Sequence, residues 1–200
     1  MRIEATDAEG EVEVWLTDQE IEDLRRAAVS YRDDIIIQLG AFVGLCAFEM
    51  PQVTPSHIKT SESGQYRLRV PQGKDTSGGG GRPRDAYLPD DVERDLQQFQ
   101  NAESIAPRDP FIHLSERGVR AVVKRTAEAA ADQTGKDDFR RVSSHDLRRR
   151  YAQRLLVDEQ VNPRVVMEVG GWSSFQAIEP YLNAPTEDVI DDELKTVGLA

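Results

Sequence analysis

The segment Ser143-Ser144-His145-Asp146-Leu147-Arg148 constrains this chain more than any other. A serine at a helix start accepts a backbone N–H that the first turn leaves unpaired, so these serines predict a helix running to about Asp158. On that helix His145 and Arg148, three residues apart, share one face and can reach a single anion. Arginine's planar fork suits two phosphate oxygens at once, and imidazole exchanges protons near neutral pH. Downstream, Asn162-Pro163 opens another helix through Val169, with proline in the first turn. Gly170-Gly171 ends it ahead of Trp172-Ser173-Ser174, and a final helix is expected to carry Tyr181. A phenol is a nucleophile when neighbouring groups favour loss of its proton. Together these residues point to chemistry on a phosphodiester.

The remaining pattern is mostly helical. Thr17-x-x-Glu20 reads as a capping box, continued by Ile21, Leu24 and Ala28 as an amphipathic helix. A second helix is expected from about Asp33 to Met50, apolar nearly all round and therefore buried, with Pro51 closing it. Tyr66 to Val70 and Asp85 to Leu88 alternate as strands of a hairpin, joined by a long glycine-rich loop from Lys74 to Pro83. Asp90 and Asp91 open a third helix to about Asn101. Ser115 or Glu116 opens a fourth, with Arg120, Lys124 and Arg125 on its polar side. Residues 11–16 alternate and form either an edge strand or a segment laid against the body. The expected class is mainly α with a small antiparallel hairpin or sheet. Residues 1–16 read as an N-terminal extension, 17–185 as one catalytic-type domain and 186–200 as an acidic tail.

The C-terminal constellation resembles the tyrosine recombinase (phage integrase) family, whose signature is a His-x-x-Arg helix, a Gly-His/Trp-Ser segment and a tyrosine some nine residues later. Here these are His145 and Arg148, Gly171-Trp172-Ser173, and Tyr181. Gly44-Leu45-Cys46-Ala47-Phe48-Glu49 resembles the family's Gly-Leu-Arg-x-x-Glu stretch, and Lys74 its hairpin lysine. The resemblance implies that Tyr181 attacks a DNA phosphate to give a 3'-phosphotyrosine. His145 would move the phenol's proton, Arg148 and Trp172 would hold the non-bridging oxygens, and Lys74 would protonate the leaving 5'-oxygen. It implies no cofactor, duplex DNA as partner, and assembly of copies on DNA. The family's usual DNA-clamping domain ahead of the catalytic one is expected to be absent. One departure matters, because Cys46 stands where the family places its first catalytic arginine. Loss of a preorganised donor costs about 10² to 10³ in rate, and a cysteine cannot replace the charge. Glu49, which buttresses that arginine in the family, is then left without its partner. The alternative reading is a catalytically inactive DNA-binding regulator or accessory factor on the same fold.

The formal charge of −11 favours a third class, a protein-interaction module, since nucleic-acid binders are usually basic. The charge is uneven, however. From Arg117 to Arg154 eleven Lys and Arg face five Asp and Glu, a surplus of six, so the rest of the chain carries −17. A basic patch on an acidic body suits a DNA-facing surface in a halophile, where a negative surface keeps protein soluble despite screening, the alternative being an ordinary acidic mesophilic protein. Arg149 and Arg150 point elsewhere around the helix from Arg148 and contact either backbone phosphates or acidic side chains; with Arg120, Lys124 and Arg125 they are the expected DNA contacts. Gly78 to Gly81 lacks the Gly-Lys-Ser/Thr ending of a nucleotide-binding loop. His57 and His113 have no partners at metal spacing, so no metal is expected. A single cysteine excludes an internal disulfide, and no run reaches membrane-spanning length, so a cytoplasmic protein is expected.

Overall fold

The computed structural model describes residues 1–5, 12–73 and 82–182. Strands β1 (Arg2–Ala5) and β2 (Val12–Trp15) pair antiparallel, Arg2 opposite Trp15 and Ala5 opposite Val12. The capping box at Thr17 then starts α1 (Asp18–Ala27): Thr17 N–H donates to Glu20 Oε2 at 2.9 Å while Glu20 N–H donates to Thr17 Oγ1 at 3.3 Å. The Met1 ammonium also reaches Glu20, at 2.5 Å, so the expected extension is tied into the body from its first residue.

Helix α2 (Tyr31–Ala41) is capped by Ser30 and carries Ile35, Ile36, Ile37 and Leu39 fully buried. It is shorter than the sequence suggested. The helix expected to reach Met50 stops at Ala41, because Gly44 takes φ +73° and turns the chain back so that Leu45 N–H donates to Leu39 O at 2.9 Å. Residues 42–49, including Cys46, form a turn, followed by a 3-10 turn at Met50–Gln52. A helix cannot continue through a left-handed residue, and glycine adopts that conformation without a Cβ penalty.

A second sheet has the order β3 (Ile58–Thr60), β4 (Tyr66–Val70) and β5 (Arg84–Tyr87), all antiparallel. The expected hairpin is its β4–β5 half, with Leu68 opposite Ala86 and Val70 opposite Arg84. Most of the joining loop, including Lys74, lies outside the described residues. Helix α3 (Asp90–Glu103) follows, then α4 (Glu116–Thr134) between Ser115 and a left-handed Gly135. Next come a 3-10 turn at Asp137–Arg141 and α5 (Ser144–Gln153), prolonged by one π turn to Asp158. Helix α6 (Pro163–Gly170) ends at Gly171, φ +75°. Tyr181 lies on a 3-10 turn, Glu179–Tyr181, rather than on the expected final helix; Pro180 inside it supplies no N–H for a longer ladder.

Helices α1, α2, α4 and α5 enclose the main core together with the inner faces of β4 and β5. Leu147 of α5 lies directly on Gly40 of α2, where an added Cβ would come within 2.9 Å of it. That close crossing fixes α5 against the core. A smaller cluster of Trp15, Ala152, Leu156, Val166, Ile178 and Tyr181 closes the C-terminal side. Among the described residues no helix is long and apolar enough to cross a membrane.

Candidate functional site

The start of α5 is held by an acid. Asp146 Oδ2 accepts Ser143 N–H at 2.8 Å and the Ser143 hydroxyl at 2.7 Å, and Oδ1 accepts Val14 N–H at 3.1 Å from β2. With the helix so fixed, His145 is exposed in its first turn and Arg148 follows one turn on. Both line a cavity of 970 Å³ together with Cys46 from the 42–49 turn and Arg149. Arg120 and Lys124 of α4 and Arg140 and Arg141 of the preceding turn complete its cationic wall. Unpaired N–H groups at a helix start add to the attraction for an anion.

Arg148 is buried and makes the central connection. One terminal amino group donates to Gly44 O and the other to Gly170 O at 2.7 Å, tying the Cys46 turn to the end of α6. Its guanidinium carbon lies 4.2 Å from the Trp172 ring centre. Trp172 stacks on Tyr151 at 6.3 Å and meets Tyr181 edge-on at 5.8 Å, and Tyr181 meets Trp15 of β2 at 6.5 Å. Burial pushes the Tyr181 phenol above its ordinary pKa; the charges of Arg148 and Arg149 pull it back, while Glu13 and Cys46 add to the rise. His145, Arg148 and Cys46 therefore share one cavity, and Arg148, Trp172 and Tyr181 form a contact chain behind it. Lys74, the remaining predicted member, is outside the described residues.

The other cations divide. Arg120 and Lys124 lie on the cavity wall; Arg120 pairs with Glu116 at 2.5 Å and Lys124 donates to Arg140 O. Arg125 turns to α2 and binds the buried Asp33 at 3.0 Å. Arg149 and Arg150 take the acidic-partner alternative. Arg149 is buried between Asp146 and Glu13, the latter at 2.9 Å, and Arg150 between Asp18 and Asp158, each at 2.7 Å. Successive helix residues are turned about 100° from one another, so a run of three arginines cannot present one face. Arg140 and Arg141, counted in the basic run but marked by no helix period, reach the cavity from the short turn before α5.

Glu49 is not left without a partner. Arg84 Nη1 and Nη2 donate to its two carboxylate oxygens at 2.5 and 2.9 Å, and the pair is buried. Glu49 Oε2 also accepts Cys46 N–H at 2.7 Å. The signal for this pair lay in β5, where Arg84 and Ala86 occupy the inward positions and Asp85 points out. A charge at an inward strand position requires a buried counter-charge.

The model of the phage integrase family matches residues 15–187. The chain belongs to this family. No curated protein matches the sequence. Solved structures of other members share the fold. The Tn1549 transposon integrase in complex with transposon right end DNA is 17% identical, with a TM-score of 0.70 over 96% of this chain and 68% of that one. XerA recombinase is 18% identical, with a TM-score of 0.65 over 92% of this chain and 65% of that one. XerH site-specific recombinase bound to its difH substrate is 17% identical, with a TM-score of 0.65 over 94% of this chain and 55% of that one. This integrase-family chain thus spans between about half and two thirds of the solved proteins it matches. The mostly helical fold with small antiparallel sheets is that of their catalytic domains.

Proposed function

We propose that this chain binds duplex DNA and is the strand-transfer domain of a site-specific recombinase or integrase, impaired by Cys46. The observation that carries the reading is the contact chain from phosphate-type ligand to phenol: Arg148 lies on Trp172 at 4.2 Å and Trp172 lies against Tyr181 at 5.8 Å. In the proposed reaction the Tyr181 oxygen attacks phosphorus. A 3'-phosphotyrosine forms as the bond to the 5'-oxygen breaks, and that oxygen takes a proton from Lys74. His145 accepts the phenol's proton, and Arg148 with Trp172 stabilises the non-bridging oxygens. Several copies assembling on DNA would fit the same reading.

The test is covalent trapping. Duplexes that the chain retains from a randomised pool are re-made with a nick beside the candidate phosphate, incubated with the protein, and run on a denaturing gel. A Tyr181-dependent adduct is expected, lost in Tyr181→Phe. Cys46→Arg should raise the rate of adduct formation, by up to about 10² to 10³. Absence of an adduct with either the natural chain or Cys46→Arg removes the enzymatic reading.

A DNA-binding regulator without strand cleavage is favoured by one specific observation, that both terminal amino groups of Arg148 are already engaged by backbone carbonyls. It predicts retention of duplex with no adduct. Binding through phosphates must weaken as salt rises, which separates both readings from a protein-interaction module.

A further inference from the structure

Two guanidiniums tie the same pair of backbone segments together. Arg148 joins Gly44 to Gly170. Arg84 joins Glu49, in the turn that holds Cys46, to the end of α6, where its Nε donates to Val169 O at 3.3 Å. Its aliphatic stem makes a second contact. A Cβ built on Gly171 would sit 2.7 Å from Arg84 Cδ, so the stem lies directly against that glycine, whose φ is +75°. A Cβ on Gly170 would overlap the Trp172 ring, which folds back over the preceding turn. The two glycines are therefore accounted for separately, one by the arginine beneath the turn and one by the indole above it.

From this we infer that Arg84 is a positioning residue for the site. By gripping Glu49 with its fork and supporting Gly171 with its stem, it sets Trp172 over Arg148 and beside Tyr181. It also gives Glu49 a cation although position 46 has none. The inference rests on the proposed strand-transfer site for its functional meaning, but its geometry can be tested without the reaction. Arg84 is not among the residues lining the cavity, so its effect on DNA is indirect.

The experiment uses the full chain in a Trp15→Phe background, which leaves Trp172 as the sole indole. Arg84→Gln, Arg84→Lys and Gly171→Ala are compared with the parent by Trp172 emission and acrylamide quenching, with circular dichroism confirming the fold. Expected are a red-shifted emission and a higher quenching constant in Arg84→Gln and Gly171→Ala, with Arg84→Lys partly restored. A folded Arg84→Gln whose Trp172 signals match the parent overturns the inference. Should that variant not fold, Arg84→Lys and Gly171→Ala decide, and unaltered Trp172 signals in both overturn it. Where the parent forms the covalent adduct, Arg84→Gln should slow its formation at saturating duplex while leaving duplex affinity unchanged. A parent that forms no adduct but whose Trp172 responds as expected keeps the inference and removes only the strand-cleavage reading.

Discussion

Tyr151 shows how a single side chain can be placed for packing at the expense of its polar atom. Its ring stacks under Trp172 and lies where any Cβ on Gly44 would be, yet among the described residues its buried hydroxyl has no hydrogen-bond partner. Desolvation dominates the phenol and pushes its pKa up to about 12, although the charges of Arg148, Arg84 and Arg67 pull the other way. A pKa raised above the unfolded value of 10.0 means that the folded state holds the proton more tightly. The resulting stability is complete below pH 10 and is lost as pH rises toward 12. Tyr151→Phe keeps the stack and removes the unsatisfied oxygen, so stability at neutral pH should be unchanged or higher. Part of the natural chain's alkaline loss should vanish in that variant, as read by urea unfolding at pH 7 and above pH 10. A variant markedly less stable at pH 7 would mean that the hydroxyl has a partner. Gly44→Ala at the same contact should be strongly destabilising, since positive φ alone costs about 1–3 kcal/mol before the overlap with Tyr151 is added.

Helix α5 owes its placement to its first turn. Asp146 caps it, accepts Val14 N–H from β2 and pairs with the buried Arg149, so one carboxylate joins helix, strand and cation. Asp146→Ala removes all three and leaves Arg149 with Glu13 as its remaining carboxylate, for an expected loss of about 2–3 kcal/mol from the cap and the bond to Val14. Ser143→Ala removes only the capping hydroxyl and should cost about 1 kcal/mol. Thermal unfolding of the two variants measures the difference; equal losses would show that Asp146 contributes no more than the cap. Such local devices are also what the sequence disclosed best. The box at Thr17 and Glu20, the cap at Ser115 and the stop at Gly170-Gly171 act over three or four residues and appear in the structure where they were read. The expectation of a helix to Met50 had a different origin, because an all-apolar run has no period that marks its end and Gly44 alone signals the turn. Arg84 and Glu49 stand 35 residues apart, and only the assembled sheet brings them together. The family signature located Arg148, Trp172 and Tyr181, but not that Trp172 mediates between the other two.

At the scale of the whole molecule, a cluster of exposed cations at the cavity sits on an acidic chain. Of the cations between Arg117 and Arg154, Arg148, Arg149 and Arg150 are buried, and Arg125 is committed to Asp33. Among the described residues the exposed cations at the cavity are therefore Arg120, Lys124, Arg140 and Arg141, on a chain whose net charge is −11. Salt acts on these two features in opposite directions. Screening, whose length shortens from about 10 Å at 0.1 M to about 3 Å at 1 M, relieves repulsion across the acidic body. The same ions compete with the cavity's cations for DNA phosphates, so affinity falls as salt rises. If the acidic surface reflects a saline cytoplasm, the unfolding midpoint should rise with potassium chloride from dilute buffer to molar salt, while duplex affinity declines over the same series. The two curves cross in a window where the protein is both folded and able to bind, and that window should lie well above dilute buffer. Full circular dichroism and an unchanged midpoint in dilute buffer would sink the halophilic reading while leaving the DNA reading intact. An affinity indifferent to salt would do the reverse, because no contact between those four cations and a phosphate backbone escapes counterion competition.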